Sequence, residues 1–213
     1  MICTICGQSY GLTHNCPGVA PLTEADPPIP AGLQFAPIEY FVMGWKIVFW
    51  DDRYIRSASR DPNALLYGFL FYLLGIGVPA LLGILIRISN NGGPLPTSTF
   101  LYLLALIPLG LAYDVARFGI CHLIAKYFLG GTGKFLPLLR SLFLGVSVVT
   151  WVAIVPFIGT LLSGIGAVVV IMVVFEELDH IDRLQAFILS AGVNIIFFGV
   201  VFYLMPVTHT LPD

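Results

Sequence analysis

Charge is what this chain has least of. Only 10% of its 213 residues are Asp, Glu, Lys or Arg, while 58% are hydrophobic. Its net charge of −2 leaves no basic footprint for nucleic acid. A glycine-rich phosphate loop, a nucleophile elbow, paired zincin histidines and a nucleotide fingerprint are all missing, so no catalytic residue is expected. The chain opens MICTICGQSYGLTHNCPG, without the basic and apolar regions of a secretory signal; the first membrane span is expected to act as its own insertion signal. Cysteine is also scarce. Of 4 cysteines, Cys121 stands alone inside an apolar run and reads as a small buried hydrophobe.

What the chain has instead is long apolar runs, and a mean hydropathy of +0.93. A helix crossing a hydrocarbon core of ~30 Å needs about 20 residues. Five runs have that length: 64–88, 100–122 with an extension towards 128, 136–155, 157–175 and 184–204. Gly75, Gly77 and Pro79 predict a kink in the first. Pro156 ends the third and Pro206 closes the fifth. The fold class is therefore all-α, a polytopic five-helix transmembrane bundle over residues 61–206, with a short outer tail at 207–213.

Ahead of the spans lie three smaller parts. Residues 1–18 hold a compact Cys/His segment. Residues 19–37 carry Pro21, Pro27, Pro28, Pro30 and Pro37, which suits an extended tether. Residues 38–60 mix bulky apolar side chains with Lys46, Asp51, Asp52, Arg53, Arg56 and Arg60. That mixture predicts a helix lying in the membrane interface, with Trp45 and Trp50 at headgroup depth.

Basic residues set the orientation. Lys46, Arg53, Arg56 and Arg60 precede span one, Lys126, Lys134 and Arg140 fall around the connection of spans two and three, and Arg183 follows span four. Arg87 alone marks the other side, and Arg117 lies within span two. The N-terminus is then cytoplasmic and the C-terminus outside.

Inside the bilayer, small residues at four-residue spacing let helices approach. Span four offers Gly159, Ser163 and Ala167; span five offers Ala186, Ser190 and Asn194; span one offers Gly75, Pro79 and Gly83. Packing within one chain is the plain reading of these stripes, and a homodimer seam is the alternative.

Three groups could carry chemistry. Cys3, Cys6, His14 and Cys16 provide thiolates and an imidazole suited to a closed, structural Zn2+ site, whose metal would supply the folding energy of so short a segment. A reducing cytoplasm argues against disulfides there. Asp114 and Arg117 are three apart in span two, and Asp114, Phe118 and His122 share a helical face. Intramembrane charge is costly and points to function unless the pair neutralises itself near the cytoplasmic end, with Arg117 snorkelling outward. Glu176, Glu177, Asp179, His180 and Asp182 form an acidic connection; Glu176 and His180 have the spacing of a metal clasp, although a solvated helix end is the commoner meaning. His209 in the tail reads as idle.

The second half of the chain resembles the Yip1-domain membrane proteins. The resemblance rests on His122–Phe128, Gly130–Gly131 and Lys134–Phe135 within HLIAKYFLGGTGKFLPLLR, on the turn IVPFIG, on ELDHIDRLQA, and on Arg60, Asp61 and Pro62 before span one. It covers residues 39–204. It implies five spans with a cytoplasmic N-terminus, no known enzyme activity, and, for the bacterial branch, the plasma membrane. Eukaryotic members are associated with vesicle traffic and small GTPases of the Rab class. The Cys/His head is not part of that pattern.

The function expected from all of this is a non-catalytic scaffold or adaptor. Its partners would be the lipid bilayer and proteins at the cytoplasmic face, with no nucleic acid. The alternative is a small transporter or channel using Asp114, Arg117, His122 and Asn194.

Overall fold

A computed structural model describes residues 36–91, 97–155 and 158–204. The Cys/His head, most of the proline-rich tether, Pro156 and the tail with His209 lie outside the described residues. The described chain is all-helical: α1 (Pro37–Val48), α2 (Asp52–Arg60), α3 (Pro62–Asn91), α4 (Thr97–Phe128), α5 (Phe135–Thr150), α6 (Ile158–Asp179) and α7 (Arg183–Leu204). A short 3-10 turn, Trp151–Ile154, prolongs α5.

Four stretches are long and apolar enough to cross a membrane: Pro62–Pro79, Ile107–Phe128, Phe135–Ile154 and Leu161–Asp179. In α7 the apolar stretch Arg183–Gly199 is shorter. These are the dimensions of an integral membrane protein. Pro79, where the sequence predicts a kink, lies in the interior of one helix that runs on to Asn91.

At the centre stands α5, buried without interruption from Arg140 to Val149. It is ringed by α1, α2, α3 and α6. Gly145 makes this possible, since a side chain there would meet Val170 of α6 and Ile47 of α1. The fit of α1 is equally close at Gly44, which lies against Val148 and the Leu144 carbonyl. A side chain at Gly166 of α6 would likewise meet Val149 of α5; within the predicted stripe Ala167 is buried, whereas Gly159 folds back onto Val152.

Residues 38–60 form two helices rather than one. Trp50 adopts a left-handed φ of 63°, and the chain turns there. The Trp50 N–H donates to Ile47 O at 3.1 Å and the Asp51 N–H to Lys46 O at 3.0 Å, a pattern that closes a helix C-terminus and normally places glycine at the turning position. Asp51 then pairs with Arg53 at 2.9 Å, and that hydrogen bond holds its carboxyl below the usual range. Trp50 is half exposed beneath the Arg183 guanidinium. Tyr40, Met43, Gly44 and Ile47 of α1 are buried against the bundle.

At one end of the bundle the polar connections meet. Arg56 of α2 pairs with Glu177 at 2.6 Å and Arg183 with Glu176 at 2.8 Å. Arg140 donates to Ser59 O at 3.3 Å, and the Thr132 N–H donates to Asp179 O at 3.1 Å. Of the basic residues that the sequence assigns to one side, Arg56, Arg140 and Arg183 meet here.

Candidate functional site

Three polar groups are set into the apolar bundle. The outermost is built on Asp61, the residue before Pro62. Asp–Pro at a helix start supplies a capping carboxylate and a first position that needs no N–H. Asp61 Oδ1 accepts from the Asn63 N–H at 2.8 Å, and Oδ2 accepts from the Tyr40 hydroxyl at 2.5 Å. An ionised carboxylate only accepts, so the Tyr40 hydroxyl is the donor. Tyr40 stacks on Tyr67 with centroids 4.1 Å apart, and the Tyr67 hydroxyl accepts from the Ala36 N–H at 2.9 Å. Arg140 neighbours Asp61 and donates to Ser59 O and Arg60 O. Sequence reasoning missed this group, although Asp61–Pro62–Asn63 carries the capping signal that could have found Asp61.

The second group fastens α4 to the end of α6. His122 Nδ1 lies 3.3 Å from Asp179 Oδ2, and the Gly133 N–H donates to Asp179 Oδ1 at 2.7 Å. The Phe135 ring flanks His122, with centroids 5.6 Å apart. Asp179 is fully buried. His122 therefore belongs here, and does not join Asp114 and Arg117 in a shared path.

The third group is the deepest. Arg117 Nη2 is 2.6 Å from Asp114 Oδ1, and Arg117 Nη1 donates to Asn194 Oδ1 of α7 at 2.8 Å. The Asn194 amide donates in turn to Ser190 O at 2.7 Å. Tyr72 of α3 hydrogen-bonds Asp114 from the other side. The guanidinium lies over the rings of Tyr113 and Phe118, at 5.8 and 5.0 Å. Ala186 and Ser190 are buried on the same stripe of α7.

Two expectations change here. The pair is not near the end of the helix: because α4 extends to Phe128, Arg117 is about 16 Å along the helix from that end. Nor does Arg117 snorkel outward; it turns in towards α7, where Asn194 holds it.

Glu176 and His180 do not form a clasp. The helix ends at Asp179, His180 turns left-handed at φ 56° and is exposed, and Glu176 pairs with Arg183. Asp182 caps α7, accepting from the Leu184 N–H at 2.9 Å. Among the described residues no three His, Cys, Asp or Glu side chains gather to hold a metal. Cys121 is free and buried.

A groove of about 470 Å3 opens between α3, α4 and α5. Pro62, Leu65, Leu66, Phe69, Leu111, Val115, Leu139 and Phe143 line it, and none of the three polar groups reaches it. No family model, no curated protein and no solved structure matches the chain.

Proposed function

We propose that this chain is a non-catalytic membrane scaffold or adaptor of Yip1-like type. In this reading it has five spans, a cytoplasmic N-terminus, and partner proteins at the cytoplasmic face of a bacterial plasma membrane. The observation that carries the proposal is the mutual engagement of the deep polar groups. Asp114, Arg117 and Asn194 bind one another and tie α4 to α7, while Tyr72 joins α3 to them. A carrier has to offer such groups to its cargo; here they serve as glue between helices. The head with Cys3, Cys6, His14 and Cys16 is the proposed docking module, stabilised by zinc and given reach by the proline-rich tether.

The test has two parts. Purified protein in liposomes should conduct neither inorganic ions nor small organic solutes; flux abolished by Asp114→Asn would replace the scaffold with the transporter. Full-length protein should carry stoichiometric zinc that a Cys3→Ser, Cys6→Ser variant lacks. That variant should also lose a partner captured by the native chain from its own membranes. Zinc-free protein with freely titratable thiols would remove the head from the proposal.

A further inference from the structure

The placement of α1 points beyond a helix resting on the membrane surface. Gly44 packs its backbone against Leu144 and Val148, and these residues lie about 14–20 Å along α5 from its start at the polar end. Phe41 meets Phe71 and Trp151, with centroids 5.5 and 6.0 Å apart. The polar end of α5 is already covered by α2, through Ser141 donating to Ile55 O and Arg140 donating to Ser59 O. So α1 lies on the inner side of α2, alongside the part of α5 that the bilayer surrounds.

Its outer face is apolar as well. Ile38, Val42, Trp45 and Phe49 recur at helical spacing; Ile38 is 78%, Val42 46% and Phe49 74% exposed. The same exposure of large apolar side chains continues on the spans, as at Leu161 and Ile195. The charged residues of α1 are confined to its first and last turns, at Glu39 and Lys46.

Backbone at membrane depth must satisfy its own hydrogen bonds. Part of that demand is met at the ends of α1. Pro37 has no N–H to satisfy, and the Ala36 N–H donates to the Tyr67 hydroxyl. At the other end, the carbonyls of Ile47 and Lys46 accept from Trp50 and Asp51 as the chain turns back.

We propose that α1 is a half-inserted helix, entering and leaving on the polar side, and that lipid acyl chains cover its outer stripe of Ile38, Val42, Trp45 and Phe49. Full-length Val42→Cys and Asp52→Cys proteins, reconstituted at low protein-to-lipid ratio, would be treated with a membrane-impermeant maleimide. Peptide mass spectrometry separates the new thiols from the native ones. Labelling at 42 should be at least about tenfold slower than at 52, with both equal in sodium dodecyl sulfate. Since Val42 is exposed on the protein itself, protection in pure lipid comes from the bilayer or a second copy. A lipid with a photoreactive acyl chain tells these apart, and should modify the peptide carrying residue 42. Equal labelling at 42 and 52, equal protection of both, or a cross-link to a second copy in place of lipid would each overturn the proposal.

Discussion

Gly130 and Gly133 occupy one loop, but they do different work. Gly130 has φ 76° and nothing within 4 Å of where a Cβ would stand, so Gly130→Ala carries only backbone strain, about 1 kcal/mol. At Gly133 a Cβ would crowd the Asp179 carboxylate and the Leu178 carbonyl, pushing the Gly133 N–H off its acceptor. Gly133→Ala should therefore cost at least ~2 kcal/mol. Denaturation midpoints in mild detergent would compare them; equal losses would mean that the loop does not grip Asp179. The sequence shows a glycine pair and a lysine in this loop, but the partner of His122 lies 57 positions away, and no local period encodes it. Asp61 was more legible, because a capping carboxylate before proline is a local signal.

Among the elements, α4 has little side-chain periodicity to say which neighbour it binds, and its polar residues decide. Arg117 reaches α7 and Asp114 reaches α3. Removing one charge leaves the other buried and unpaired, which costs about 3 kcal/mol or more. Asp114→Asn and Arg117→Gln should each be that destabilising, and the double variant clearly less so than their sum. Asn194→Ala, which removes an uncharged partner, should cost only ~1 kcal/mol. A double-mutant cycle measured by refolding from sodium dodecyl sulfate reads the coupling, and additive losses would sink the clamp. The spans themselves could be read from hydropathy, since length and apolarity are local properties. The division of residues 38–60 could not, because it depends on a tryptophan taking the left-handed turn that glycine usually takes.

For the whole molecule, the number of crossings hinges on α7. Its 22 residues extend about 33 Å, enough for a hydrocarbon core of ~30 Å, and Asp182 starts it at the polar end beside Arg183. Its inner stripe of Ala186, Ser190 and Asn194 runs from that end to the deep clamp, so the first half of α7 is anchored at membrane depth. Phe187, Ile188, Ile195 and Ile196 are exposed along its outer side, where lipid can receive them. That pinning at one end and part-way along favours the proposed fifth crossing. In the proposed five-span arrangement the two termini would fall on opposite faces, and by the positive-inside rule the basic residues before span one and beside the polar end, Arg56 and Arg183 among them, would put the N-terminal face in the cytoplasm. A protease site appended after Asp213 should be cut in intact cells with a permeable outer boundary, and the same site placed before Met1 only after the membrane is broken. Should both sites become accessible together, α7 would have to turn back instead of crossing, and the bundle would have four spans.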